Sequence, residues 1–132
     1  MSKYEGFTLL ELIIVIIVIG ILSSVALPRY QIVVEKSRVA EAKHILGEIR
    51  FAQMRYYNQY YTWSNNMNNL DLEIPNTSKF FTYQAGNFPN WVGRAVRIET
   101  LLPPGFSNYR IFIADNGTYS IDPSGNPYDR LL

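Results

Sequence analysis

A nearly continuous apolar run from Phe7 to Leu27 dominates this sequence, and its one charged side chain is Glu11. As a helix rising about 1.5 Å per residue, the run would extend about 31 Å, close to the thickness of a bilayer's hydrocarbon core. A carboxylate inside that core costs about 3 kcal/mol on insertion scales, so an ionisable residue there is a functional candidate by default. The run therefore predicts a membrane-spanning helix, and Glu11 needs a polar partner.

The composition argues against several classes of protein. The 132 residues include no cysteine, so no disulfide can hold the fold, and the net charge of +1 gives no general argument for nucleic acid or an anionic surface. His44 is the only histidine and has no metal-ligating companion one turn later. The sequence has no Ser/His/Asp set, no Gly-rich phosphate loop and no Cys/His cluster, so it does not predict an enzyme.

Two general interpretations of the apolar run compete. It could be a cleavable secretory signal, with Lys3 as the basic residue, Leu12 to Leu22 as the apolar centre and residues 24–26 as a small-residue cleavage site. It could also be a permanent anchor that attaches a secreted or membrane-anchored binding module. Either accounts for the length of the run, but neither gives Glu11 a purpose.

A third interpretation comes from the order of residues around Glu11. Residues 6–11 read Gly-Phe-Thr-Leu-Leu-Glu, and an apolar stretch with Gly20 and then Pro28 follows. This order resembles the class III signal of type IV pilins and of the related pseudopilins of type II secretion systems. The resemblance implies that a prepilin peptidase cuts between Gly6 and Phe7 on the cytoplasmic side and N-methylates Phe7. Residues 1–6 would be a leader peptide, and residues 7–27 would remain as the transmembrane and filament-core helix.

Cleavage at this position would supply a partner for Glu11. The new α-amino group of Phe7, with an ordinary pKa of about 8, would be a cation in the same apolar surroundings as the carboxylate. The two groups are four residues apart on one helix, but the amine of a neighbouring subunit could also reach Glu11. Because buried ion pairs are best attested as devices that specify register, we expect Phe7 and Glu11 to set the register of a filament.

Gly20 and Pro28 mark the part of the helix expected to be softest. Pro28 lacks a backbone donor and its ring crowds the carbonyl of Ser24, while Gly20 lowers the helix propensity. One interpretation is a simple kink, with the hydroxyls of Ser23 and Ser24 bonding to freed carbonyls. The other, implied by the resemblance, is a hinge segment that loses helicity when subunits pack into a filament.

From residue 28 to about residue 61 the pattern predicts an amphipathic helix. Apolar side chains recur every three or four residues along one face, from Ala42 and Ile45 to Tyr56 and Tyr60. Charged side chains, Glu35 and Arg38 among them, fill much of the remaining surface. We expect those charges to form a solvated or inter-subunit face, with Glu35 and Arg38 paired weakly across one turn.

Residues 62–132 predict a globular head with an antiparallel sheet. Residues 62–69 read as a loop, residues 70–74 alternate, and strands are expected at residues 80–83, 91–98, 109–114 and 118–121. The Asp-Asn-Gly sequence at residues 115–117 predicts a hairpin between the last two strands. The fold class is therefore α+β, with one long N-terminal helix packed on a small C-terminal antiparallel sheet.

The C-terminal segment must be held without the disulfide that commonly closes this region in pilin heads. Residues 122–129 read Asp-Pro-Ser-Gly-Asn-Pro-Tyr-Asp and resemble a calcium-binding loop of major pseudopilins. Asp122, Asn126 and Asp129 are candidate oxygen ligands for calcium. An ordinary Pro/Gly turn explains the same residues and is the favoured interpretation, so no cofactor is expected.

The resemblance implies a structural subunit of a type IV pilus that serves adhesion, twitching motility or DNA uptake. The implied partners are further copies of the chain, the prepilin peptidase, an assembly ATPase with its platform protein, and a secretin if an outer membrane is present; no specific nucleic-acid site is evident. The precursor would lie in the inner membrane with a cytoplasmic N-terminus before joining an extracellular filament. The main alternative is a major pseudopilin of a type II secretion system.

Overall fold

A computed structural model of the chain describes residues 6–74, 78–88, 91–98, 102–103, 105–123 and 128–132. The chain divides into two compact units, Met1–Val33 and Val34–Leu132. Both contain part of the single long helix, α1, which extends from Leu9 to Tyr60. The helix was predicted from residue 7 to about residue 61, so the prediction is confirmed to within two residues at each end.

In the first unit, the apolar side chains of α1 from Leu9 to Leu22 are exposed. Every described residue from Gly6 to Leu22 is exposed. By length and composition, this helix can cross a membrane. It continues through Pro28, and the hydroxyl of Ser24 donates to the carbonyl of Ile21 at 2.7 Å.

In the second unit, four antiparallel strands form one sheet in the order β1-β2-β3-β4. The strands are β1 Phe81–Phe88, β2 Trp91–Arg97, β3 Arg110–Ile113 and β4 Tyr119–Asp122, with short 3₁₀ turns at Met67–Asn69 and Tyr128–Arg130. The pairing of Ile111 with Ile121 confirms the hairpin predicted across residues 115–117. The α+β class is confirmed.

The alternating segment at residues 70–74 does not form a strand. The N–H of Leu72 donates to the carbonyl of Leu70 at 2.8 Å, a three-residue turn that removes a donor a sheet would need. The side chain of Asp71 is held by Arg55 in a two-bond ion pair with both distances 2.8 Å. The apolar residues of this segment alternate with acidic ones because Leu70 is buried and Leu72 and Ile74 are half-buried. An irregular segment can bury alternate side chains as a strand does.

The second half of α1 packs on one face of the sheet, and Gly93 on β2 makes that close approach possible. A Cβ atom at Gly93 would lie 3.1 Å from Ile49 on the helix, 3.1 Å from Ile113 on β3 and 3.4 Å from Leu46. The buried helix residues are Glu35, Val39, Ala42, Leu46, Ile49, Ala52 and Gln53. The predicted apolar face is therefore largely confirmed, although Tyr60 at its end is exposed.

The C-terminal segment is held by aromatic packing and hydrogen bonds. Tyr128 and Leu131 are buried, and the hydroxyl of Tyr128 accepts a bond from the N–H of Ser107 at 2.9 Å. The ring of Tyr128 lies 5.8 Å from that of Tyr109. The Nζ of Lys43 reaches the Leu132 oxygen at 3.4 Å. These contacts hold the C-terminal segment without a disulfide.

Candidate functional site

The predicted cleavage junction lies just before the first turn of α1. Gly6, Phe7 and Thr8 have no regular secondary structure, and Phe7 is 85% exposed. An irregular, exposed backbone can be straightened to enter a peptidase, whereas a helical one must first unwind. The geometry of the Gly6–Phe7 junction is therefore compatible with cleavage, which remains a prediction.

Thr8 and Glu11 form a capping box at the start of α1. The N–H and the hydroxyl of Thr8 both donate to Oε2 of Glu11 at 2.8 Å, and the N–H of Glu11 donates to the Thr8 hydroxyl at 3.2 Å. Such reciprocal bonds satisfy backbone donors that a helix start leaves without partners. Before any cleavage, Glu11 therefore already has a polar partner three residues earlier in the chain.

The sequence analysis did not predict Thr8 as a partner of Glu11, although the sequence pattern of a capping box is present. A Ser or Thr followed three residues later by Glu, directly before an apolar run, is the sequence signature of a capping box. The structure uses one carboxylate oxygen for this cap. Within the described part of the chain, Oε1 of Glu11 accepts no hydrogen bond. The cap and a second partner for Glu11 are thus compatible.

Phe7 and Glu11 lie close to one another and face the same shallow groove on the helix surface. The groove is lined by Phe7, Glu11, Leu12, Ile14 and Val15. Its walls are apolar apart from the carboxylate. A helix surface of this kind is stable in lipid or against other apolar helices, because exposing apolar side chains to water is unfavourable in free energy.

The residues of the predicted hinge do not interrupt α1. Gly20 and Pro28 both lie within continuous helix, and an added Cβ at Gly20 would have nothing within 4 Å. Gly20 is therefore not required for packing in the single chain. Loss of helicity between these residues in a filament remains a prediction.

The described residues do not test the calcium hypothesis, which stays a prediction. Asp122 pairs with Nη1 of Arg110 at 3.5 Å, its side chain is 59% exposed, and Asp129 lies in the turn at Tyr128–Arg130. Asn126 lies outside the described residues. Among the residues that the structure describes, no three His, Cys, Asp or Glu side chains cluster as metal ligands would.

The sequence interpretation of Glu35 is wrong, since this carboxylate is buried and its exposed fraction is 0%. Oε1 accepts bonds from Nε of Arg97 at 2.6 Å and from the hydroxyl of Tyr109 at 2.7 Å. Oε2 accepts from Nη2 of Arg97 at 3.2 Å and from Nη1 of Arg38 at 2.8 Å, which confirms the expected pair across one turn. Sequence spacing cannot show this network, because Arg97 ends β2 and Tyr109 directly precedes β3, both far from Glu35 in the chain.

The network is well satisfied, as a buried charge requires. Arg97, which is 1% exposed, also donates through Nη1 to the carbonyls of Phe80 at 3.2 Å and Ile98 at 3.0 Å. Burial acts to raise the pKa of Glu35, but the hydrogen bonds from Arg97, Tyr109 and Arg38 outweigh it and hold that pKa below its ordinary value. Burial and the bond to Glu35 raise the pKa of the Tyr109 hydroxyl. Glu35 therefore ties α1 to the sheet as a carboxylate.

Gln53 is a second buried polar clamp between α1 and the head. Its Nε2 donates to the carbonyls of Ser64 at 2.8 Å, Gly86 at 3.1 Å and Val92 at 3.1 Å. Its Oε1 accepts from the N–H of Ser64 at 2.8 Å. One side chain thus fixes the loop after α1 and the first two strands.

Comparison with known proteins supports the interpretation of the N-terminal residues as a prepilin methylation motif. The family model described as the prokaryotic N-terminal methylation motif matches residues 1–27. The chain is 46% identical to fimbrial protein EcpC of Eikenella corrodens over 59 residues, which cover 45% of this chain and 39% of that protein. It is 38% identical to type IV major pilin protein PilE1 of Neisseria gonorrhoeae over 71 residues, which cover 54% and 43%.

A probable minor fimbrial protein of Dichelobacter nodosus is 48% identical over 52 residues, 39% of this chain and 33% of that protein. In each comparison the match spans less than half of the relative's length. The resemblance recognised at residues 6–11 is confirmed: the chain carries the methylation motif of prokaryotic prepilins, and its relatives are fimbrial proteins and type IV major pilins.

Proposed function

We propose that this chain is a structural subunit of a type IV pilus that polymerises through the first half of α1. The observation that carries the proposal is an exposed apolar helix surface whose first turn holds a capped carboxylate, within the residues that match the methylation motif. Such a surface must be covered by lipid before assembly and by other copies of the same helix after it.

The proposed sequence of events starts in the inner membrane, with the N-terminus in the cytoplasm. A prepilin peptidase cuts between Gly6 and Phe7 and methylates Phe7. The assembly ATPase and platform protein then move the subunit into a filament, which leaves through a secretin if the cell has an outer membrane. Adhesion, twitching motility and DNA uptake are the functions that such a fibre would serve.

Register in the filament is proposed to come from Glu11 and the amine of Phe7 in a neighbouring subunit. Oε2 of Glu11 keeps the cap with Thr8, while Oε1 is open to the incoming amine. A subunit placed one turn out of register would leave both charges without partners in apolar surroundings, which is costly.

A major pseudopilin of a type II secretion system is the second candidate, favoured by the Asp122 to Asp129 sequence. Calcium-dependent stability of the head would support this alternative, as would short filaments confined to the periplasm. Long surface filaments built from this chain would support the pilus.

The mature N-terminus tests the proposal directly. Mass spectrometry of the chain from its native membrane or filament should find Phe7 as the first residue, carrying one methyl group. A Gly6→Val variant is the matched control, because an added side chain meets nothing within 4 Å of Gly6 and should alter only recognition by the peptidase. A wild-type chain that begins at Met1 would indicate an uncut anchor, and one that begins at Leu27 a cleaved signal; both overturn the proposal.

A further inference from the structure

The face of the sheet opposite α1 carries a groove of about 590 Å³ that the proposed assembly does not use. We call it the outer groove; its side chains come from Asn65, Gln84, Trp91, Arg94, Arg110 and Phe112. Gln84, Arg94 and Phe112 are neighbours in the strand register, so their side chains lie in one row. The volume falls in the range of small-ligand sites.

Two aromatic rings form the floor of the outer groove. The rings of Trp91 and Phe112 have centroids 5.6 Å apart at an interplanar angle of 56°. Trp91 also lies against Gly86 on β1, where a Cβ atom would come within 2.2 Å of the ring. The absence of a side chain at Gly86 therefore allows the large ring to lie flat on the sheet.

Arg94 supplies a positive charge that nothing in the described part of the chain neutralises. Its guanidinium lies 5.3 Å from the centroid of the Trp91 ring and donates through Nη2 to the amide oxygen of Gln84. Its Nε is buried and has no hydrogen-bond partner among the described residues, and Arg94 forms no ion pair with them. By contrast, Arg110 is paired with Asp122 at 3.5 Å.

We propose that the outer groove binds a carboxylated sugar, such as a uronic acid unit of an acidic polysaccharide. The negative face of an aromatic ring attracts the weakly positive C–H groups of a sugar ring. The amides of Asn65 and Gln84 can both donate to and accept from hydroxyl groups. The planar guanidinium of Arg94 matches a carboxylate in shape and charge, and no described acidic side chain competes for it.

A nucleic-acid strand fits the same groove less well. Polyanion binding depends on several cations, each neutralising one phosphate. Here the charge of Arg110 is offset by Asp122, which leaves Arg94 as the one unneutralised cation among the described residues that line the groove. One positive charge beside aromatic rings suits a ligand with one carboxylate per ring. This inference does not depend on polymerisation of the chain.

The test uses the full chain in a detergent without sugar head groups and two matched probes, trigalacturonic acid and the neutral trigalactoside. Isothermal titration calorimetry should show that the acidic probe binds at least about tenfold more tightly, because charge-assisted hydrogen bonds exceed neutral ones. Arg94→Gln should remove the preference for the acid, whereas Arg94→Lys, which keeps the charge but loses the planar fork, should retain part of it. Gly86→Ala should weaken both probes by displacing Trp91.

Arg55→Gln is the matched control, since Arg55 is an exposed arginine paired with Asp71 outside the groove. It should leave both affinities unchanged, and circular dichroism should find all four variants folded. Equal affinity for the two probes, or binding of neither, would overturn the proposal. So would tighter binding of single-stranded DNA that is lost in Arg94→Gln, because that result would assign the groove to polyanions.

Discussion

Glu11 has two separable roles at the scale of single residues, a local cap and a proposed contact between subunits. The capping box needs a hydrogen-bond acceptor at this position, which glutamine also supplies. The subunit contact needs a negative charge. Neutral and charged variants can therefore distinguish the two roles.

We predict that Glu11→Gln inserts into the membrane and folds normally but yields few filaments, since the cap is kept and the charge is lost. Thr8→Val is the reciprocal control: it loses about 1 kcal/mol of capping, keeps the charge and should assemble. Filament yield is measured by shearing and electron microscopy. Normal yield from Glu11→Gln, or equal loss from both variants, would contradict a role for the charge.

Removing Glu35 should destabilise the second unit strongly, because Arg97 would be left buried without its partner. We expect Glu35→Ala to lower the free energy of unfolding by about 3 kcal/mol. Urea titration of the full chain in detergent measures this value. The exposed Glu48→Ala is the control and should change stability by less than about 0.5 kcal/mol. A small effect of Glu35→Ala would mean that Arg97 finds another partner or water.

The same carboxylate predicts a pH dependence with a definite sign. The folded-state pKa of Glu35 is lowered from 4.5, so its contribution to stability is present above about pH 4.5 and is lost as the pH falls through the folded value. The wild-type chain should therefore lose more stability than Glu35→Gln between pH 5 and pH 2, because the wild-type carboxylate takes up a proton as the pH falls and the glutamine does not. Thermal unfolding of both proteins across this range checks the difference, and parallel curves would exclude the assignment.

At the scale of secondary-structure elements, the fit between α1 and β2 depends on Gly93. We predict that Gly93→Val lowers the free energy of unfolding by about 1–3 kcal/mol, since its side chain would overlap Ile49 and Ile113. Gly47→Ala is the contrasting change: its Cβ would lie 3.8 Å from the Tyr119 hydroxyl, an ordinary contact. It should stabilise α1 by up to about 1 kcal/mol. A neutral Gly93→Val would mean that the helix can move away from the sheet at no cost.

The periodic patterns predicted which strands exist more accurately than they predicted where each strand ends. The four predicted strands exist, but β1 continues to Phe88 rather than ending near Tyr83, and the β1–β2 register shifts between Ala85 and Phe88. Ala85, Gly86 and Asn87 lower the strand propensity of that stretch. Gly86 is nevertheless required there, because Trp91 packs against it. A contact across strands overrode the local preference.

At the scale of the whole molecule, the two units differ in what surrounds their apolar side chains. Among the residues that the structure describes, the buried apolar ones all lie in the second unit, from Val39 to Leu131. The first unit exposes its apolar side chains. The second unit therefore has a core of its own, whereas the exposed apolar surface of the first marks an interaction surface, which we propose is covered by lipid or by other copies of the chain.

We predict that a chain lacking residues 1–28 is soluble and monomeric, and keeps the stability of the head. Size-exclusion chromatography and circular dichroism without detergent check this expectation, with the full chain, which should require detergent, as the control. An unfolded or aggregated product would show that the head depends on the first unit.

Local pattern was sufficient for the apolar helix, the methylation motif, the amphipathic face and the final hairpin. Each of these depends on residues close together in the chain, where periodicity and short motifs carry the information. The burial of Glu35, the clamp at Gln53 and the outer groove could not be obtained that way. The first two arise where α1 meets strands that are distant in sequence, and the groove arises where side chains of three strands meet on the opposite face of the sheet. A charged or polar side chain looks the same in a sequence whether water or Arg97 satisfies it. Folding decides between those partners, because only the assembled core removes the water.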